Sequence, residues 1–127
     1  VRGVARPMIK PGQPTPPPLA SNLIWAADIK LTPDARHLYT SERTGSTVSV
    51  FAIDSKTGLP GFVQNIKVEQ QPRGIALDPS GQWLLVSGEK SPQVGVYAIN
   101  PEDGTLSRHA TAPSGKGANW VQVVSYP

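Results

Sequence analysis

Residues 27–72 and 73–118 of this chain lie over one another without a gap. At that offset Ile29/Ile75, Leu31/Leu77, Pro33/Pro79, Leu38/Leu84, Ser41/Ser87, Val48/Val94, Val50/Val96, Ala52/Ala98, Ile53/Ile99 and Gly58/Gly104 are identical. A third copy opens at Asn119-Trp120 and puts Val121 and Val123 in the slots of Ile29 and Leu31. A fixed period of this size marks a repeat architecture, in which no unit buries its own apolar face without a neighbour.

Within each copy, short alternating runs lie between turn signals. In the first, the pattern predicts strands at Asp28–Leu31, His37–Ser41, Thr47–Ile53 and Phe62–Val68. Thr32-Pro33-Asp34-Ala35 and Asp54-Ser55-Lys56-Thr57-Gly58 read as turns, and Asp78-Pro79-Ser80-Gly81 and Asn100-Pro101-Glu102-Asp103-Gly104 repeat that chemistry in the second copy. No segment carries a helical period. The expected fold is all-β, with four antiparallel strands per repeat forming a β-propeller blade.

The count leaves the ring open. Residues 25–72 and 73–118 are expected to be two complete blades, and 119–127 the inner strand of a closing blade, centred on Trp120–Ser125. Residues 1–24 are expected to be a proline-rich connection or the end of a preceding blade. Propellers need roughly 4–8 blades, so a seven-bladed ring at this period would take ~320 residues. The chain therefore reads as the C-terminal part of a longer propeller with its N-terminal blades missing, or as a protein that closes its ring by self-association.

The bulk numbers exclude several classes. The net charge is +3, and the basic residues are scattered rather than gathered into a stripe, which argues against a nucleic-acid partner. No apolar run approaches the ~18 residues of a membrane span, and the first residues lack the apolar core of a secretory signal. The absence of cysteine removes disulfides, thiolate metal sites and cysteine nucleophiles. It fits a reducing compartment, so a cytoplasmic location is expected. A periplasmic one stays open, because the start of the whole protein is not seen. His37 and His109 are too far apart for a metal-ligand spacing and are not placed as general bases, so no metal is expected. Gly115-Lys116-Gly117 precedes a strand rather than a helix and reads as turn chemistry, so no nucleotide cofactor is expected.

Blade topology sorts the polar residues by face. The fourth-to-first and second-to-third strand connections share one face, and the innermost strands line the channel. That face collects Glu42, Arg43, Arg73, Glu89, Lys90, Asn119 and Trp120, with Asp28 near the same end of its strand. Arg73 directly precedes an innermost strand, where a guanidinium can grip a carboxylate or phosphate in a fork, or can tie blades together through a carboxylate. Arg43, with Glu42 beside it, is open to the same two readings. Trp120 is either a pocket wall or packing between blades.

Trp25 to Tyr39 with Ser41-Glu42-Arg43-Thr44, then Gln71-Pro72-Arg73-Gly74, Asp78-Pro79-Ser80-Gly81-Gln82-Trp83-Leu84 and Gly117-Ala118-Asn119-Trp120-Val121, resemble successive late blades of the seven-bladed lactonase family. This is the propeller type of 6-phosphogluconolactonase, related to the carboxy-muconate cyclases. The resemblance covers residues 25–125. It implies hydrolysis of 6-phosphoglucono-1,5-lactone to 6-phosphogluconate in the pentose phosphate pathway, without a required metal or other cofactor. It also implies phosphate or carboxylate binding and oxyanion stabilisation by Arg43 and Arg73, with Glu42 orienting water. Asp28, Lys90, Asn119 and Trp120, grouped with them by face alone, are the expected substrate contacts. A related lactonising enzyme, or a propeller that binds a ligand or protein without catalysis, is the alternative. Any base supplied by earlier blades is absent from this chain.

Overall fold

A computed structural model describes residues 11–12 and 23–127. The expected proline-rich connection over residues 1–24 thus falls almost wholly outside the described residues. Eight strands follow in chain order: β1 Ala26–Leu31, β2 His37–Glu42, β3 Thr47–Ile53, β4 Pro60–Lys67, β5 Pro72–Leu77, β6 Trp83–Gly88, β7 Gln93–Ile99 and β8 Leu106–Pro113. They form two antiparallel sheets, β1-β2-β3-β4 and β5-β6-β7-β8. The arrangement is that of two propeller blades. Pro60 and Pro113 sit at the ends of the outermost strands, where a missing N–H leaves no ladder partner unsatisfied.

Turn chemistry ends the strands as the residues dictate. Asp34 Oδ1 accepts from the Thr32 hydroxyl at 2.6 Å and the Arg36 N–H at 3.1 Å. Asp78 does the same for the N–H groups of Ser80, Gln82 and Trp83. Gly81 takes φ 72° in the turn after β5, and Ala35 is held at φ 58° in the equivalent slot after β1. The two sheets also share their irregularities. Bulges interrupt β1 between Ala26 and Ile29 and β5 between Pro72 and Ile75, one repeat apart.

The core lies between the blades. Tyr39, Val48 and Val50 point from the first sheet, and Leu84, Val86, Tyr97, Ile99 and Leu106 from the second. Each side chain so removed from water contributes roughly 1.5–3 kcal/mol, which neither sheet could gain alone. Buried polar groups are matched across the same seam. The Tyr39 hydroxyl donates to the Gly104 carbonyl at 2.8 Å. The Gln64 amide both donates to the Leu106 carbonyl and accepts from its N–H.

The expected closing strand has no blade of its own among the described residues. Residues 119–127 make no strand. An innermost strand needs a second strand of its own blade beside it, and none of the described residues occupies that place. The segment instead lies along the start of β5, where the Gly74 N–H donates to the Asn119 carbonyl at 3.2 Å. Trp120 is 69% exposed in this chain.

Candidate functional site

The bulge in β5 contains Arg73 and Gly74, and bulges re-aim side chains at the ends of strands. Arg73 leaves the strand toward the expected channel mouth with its side chain 54% exposed. A cavity of about 270 Å³ opens there, lined by Ala27, Asp28, Arg73, Gly74, Asn119 and Trp120. Four of the residues expected from sequence therefore meet in one place. Gly74 is needed for this approach, because a Cβ at that position would stand 3.0 Å from the Asn119 carbonyl oxygen and 3.1 Å from Trp120 Cα.

Beside the cavity lies a charge cluster with Glu89 at its centre. Arg43 Nη2 donates to Glu89 Oε2 at 2.6 Å, and Arg73 Nη1 donates to Oε1 at 3.0 Å. The Gln71 side-chain amide donates to Oε2 at 3.0 Å. Burial alone would raise the Glu89 carboxyl, but the hydrogen bonds and charges of Arg73 and Arg43 outweigh it and hold the group below its usual range. Arg43 is the more enclosed cation. Its guanidinium lies 4.2 Å from the centre of the Trp25 ring, its side chain is only 11% exposed, and its Nε is buried without a partner among the described residues. Glu89 was the residue that sequence reasoning undervalued. The signal was present: Arg43 and Glu89 are repeat equivalents, separated by 46 positions, and opposite charges at matching loops of adjacent blades face each other.

The carboxylates proposed from sequence for water or substrate are already occupied. Glu42 accepts from the backbone N–H groups of Trp25 at 2.8 Å, Thr44 at 2.7 Å and Gly45 at 2.6 Å. Burial would raise its carboxyl, but these N–H groups prevail and hold it low, which makes it a weak proton acceptor. It works as a clasp on the β2–β3 loop. Asp28 Oδ2 accepts from the Ile75 N–H of the next blade at 3.0 Å, and Oδ1 from the Ile29 N–H at 2.8 Å. Lys30 lies 3.4 Å from Oδ1, with its ammonium 5.9 Å from the centre of the Trp120 ring. Lys90 is exposed, does not line the cavity and makes no ion pair among the described residues.

The histidines stand elsewhere. His37 is buried against Gly104, and His109 stacks on Trp83 with ring centres 4.7 Å apart. The opposite face carries a larger groove of about 620 Å³ that includes Asp34, Arg36, His37 and Trp83. There Asp34 is spent on capping its own turn, and Arg36 donates to the Glu102 carbonyl. Each opening thus holds an arginine with donors to spare, Arg36 beside Trp83 in the groove and Arg73 beside Asn119 and Trp120 in the smaller cavity. Among the described residues no group of three His, Cys, Asp or Glu is arranged to hold a metal, and no helix is long and apolar enough to cross a membrane.

Comparison with known proteins bears on the fold and the family. The 6-phosphogluconolactonase of Photorhabdus laumondii is 46% identical over 101 residues, covering 80% of this chain and 31% of that protein. The enzyme of the same name from Serratia proteamaculans is 42% identical, covering 80% and 30%. The chain thus spans about a third of the length of these curated relatives. Among solved structures, the periplasmic gluconolactonase of Pseudomonas aeruginosa superposes with a TM-score of 0.71 at 26% identity, covering 82% of this chain and 30% of that one. The family described as Lactonase, 7-bladed beta-propeller matches residues 9–123, and the chain belongs to that family.

Proposed function

We propose that these blades supply the anion-binding part of a site that hydrolyses a phosphorylated sugar lactone, 6-phosphoglucono-1,5-lactone, to 6-phosphogluconate. The observation that carries the reading is Arg73, bulged into a cavity of about 270 Å³ with Asn119 and Trp120. Family membership and the named activity of the relatives support the substrate class.

Hydrolysis adds water to the lactone carbonyl, passes through a tetrahedral oxyanion and expels the ring oxygen as a hydroxyl. Arg73 has donors to spare for the phosphate or for the developing oxyanion, where a charged donor gives more in the transition state than in the ground state. The exposed Trp120 ring offers a flat apolar wall for the sugar. Asn119 adds amide donors and an acceptor for its hydroxyls. Arg43 acts from behind, through Glu89. Glu42 and Asp28 keep the loops in place rather than taking a proton, so the base comes from outside this cluster. We assign each sheet to one blade of a larger ring and residues 119–127 to the inner edge of the next. The absence of cysteine supports a cytoplasmic reaction, which localisation of the whole protein tests.

The experiment is a chimera in which residues 25–125 replace the matching segment of the Photorhabdus relative. Ring opening is followed against the spontaneous rate. The expected result is lactonase activity that Arg73→Met lowers by ~100-fold or more, the scale of losing one oxyanion donor. A folded chimera that only matches the blank refutes the reading, as does one indifferent to Arg73→Met. Retained binding of 6-phosphogluconate without hydrolysis would assign the chain to the non-catalytic alternative.

A further inference from the structure

We infer that Glu89 is the selectivity residue of this site, a resident counter-anion that competes with the ligand for Arg73. The inference rests on the reading above only in taking the ligand's anionic group to be the substrate phosphate.

The cluster holds two guanidinium cations and one carboxylate, a net charge of +1 from Arg43, Arg73 and Glu89. Both Glu89 oxygens are engaged, and they divide the arginines into two roles. Arg43 is enclosed by Trp25 on one side and Glu89 on the other. It cannot reach the cavity without leaving both. Arg73 spends one nitrogen on Glu89 and turns the rest of a half-exposed fork toward Asn119 and Trp120. Arg73 is thus the contact residue, and Arg43 a positioning residue whose charge is felt through Glu89.

Glu89 therefore has two opposed effects. It fixes Arg73 and so lowers the ordering cost of binding, and it repels any anion that Arg73 takes. An anion on the far side of the Arg73 guanidinium lies roughly 7 Å from the carboxylate, where like-charge repulsion under solvent-like screening is worth about threefold in affinity per unit of charge. A dianionic phosphate feels this twice over, and a singly charged carboxylate once. Glu89 thereby weakens phosphate more than carboxylate. That keeps the site from being held by every phosphate in solution and lets a phosphorylated product leave.

The test is titration of the 127-residue protein with inorganic phosphate and with acetate, read by Trp120 fluorescence and by NMR of the arginine Nε–H signals, with thermal melts as the folding control. Glu89→Gln keeps a hydrogen-bond acceptor and removes the charge. It should bind phosphate at least threefold more tightly than wild type, gain less for acetate, and show a steeper salt dependence. Arg43→Met should weaken phosphate although Arg43 never touches it, and Arg43→Met/Glu89→Gln should return toward wild type. A merely structural Glu89 predicts weaker phosphate binding in Glu89→Gln. That result, equal affinities, or no phosphate response in any variant overturns the inference. Tighter phosphate binding by Glu89→Gln beside an inactive chimera would keep this inference and refute the lactonase reading, whereas an active chimera with unchanged phosphate affinity would do the reverse.

Discussion

Glu69 sits in the connection between β4 and β5, two residues before the non-glycine positive-φ residue Gln71 and four before Arg73. Its side chain is 3% exposed, and its charge is held by two partners on the second blade. The Tyr97 hydroxyl donates to Oε2 at 2.9 Å, and Arg108 Nη1 to Oε1 at 2.6 Å. Burial, then the bond to Glu69, pushes the Tyr97 hydroxyl above its ordinary pKa, so it stays a donor at all working pH values. Glu69→Ala leaves that fully buried hydroxyl without its acceptor, which costs about 1–3 kcal/mol. It also empties the space of one methylene and the carboxylate, adding about 1 kcal/mol. Arg108 is 46% exposed and can return to water, so the larger penalty of stranding a buried partner charge does not apply. The expected loss is about 2–4 kcal/mol, or a fall in Tm of roughly 10 °C for a domain of this size. Urea and thermal unfolding followed by circular dichroism measure it, and a cycle with Tyr97→Phe isolates the bond. Because Tyr97→Phe removes the stranded hydroxyl, the double variant should lose less than the sum of the singles. A Glu69→Ala loss under ~0.5 kcal/mol, or strict additivity in the cycle, would refute a stabilising role for the Glu69–Tyr97 bond.

Ala35→Gly should stabilise by about 0.5–1 kcal/mol in urea melts, since Ala35 is held at φ 58° where its repeat equivalent is already Gly81, and a destabilised variant would contradict this. Gly74→Ala should lose about 1–2 kcal/mol and shift Trp120 fluorescence, because its Cβ must displace the backbone of Asn119 and Trp120. Glu89 has a folded-state pKa depressed below its ordinary 4.5, so its contribution is full above that value and is lost as the pH falls through the folded-state pKa. The stability difference between wild type and Glu89→Gln should therefore be constant from pH 7 to about 5 and shrink below about 4.5; a difference that grows on acidification would reverse the assigned sign.

What the sequence made legible follows from the repeat. Ten coincident identities placed the strands, and the Thr32-Pro33-Asp34 and Asp78-Pro79 turns after β1 and β5 marked their ends to within two residues. Position on a face was legible too, because alternate strand connections must emerge on the same side of a blade. That grouping brought Arg43, Arg73, Asn119 and Trp120 together before any coordinate was known. Side-chain occupancy was not legible. Whether Glu42 faces water or backbone depends on how tightly the β2–β3 loop closes, and three N–H groups converge on it only in the folded loop. The bulges that carry Asp28 and Arg73 were equally hidden, since a bulge leaves no mark in a period-2 pattern that spans only four to six residues.

The repeat does more than set the fold, because the slots it equates are where the two blades diverge. Trp25 and Gln71 are equivalents, as are Arg43 and Glu89. In both blades the loop residue donates its N–H to the carbonyl of the residue before the inner strand, Arg43 to Trp25 at 2.9 Å and Glu89 to Gln71 at 3.1 Å. The backbone frame is thus common, and only the side chains differ: a ring under a cation in one blade, an amide on a carboxylate in the other. Ala27, Arg73 and Asn119 share a third slot at the mouth of successive inner strands. Arg73 is the one cation among those three slots, so the divergence that separates Arg43 from Glu89 also sets Arg73 apart from its own repeat equivalents.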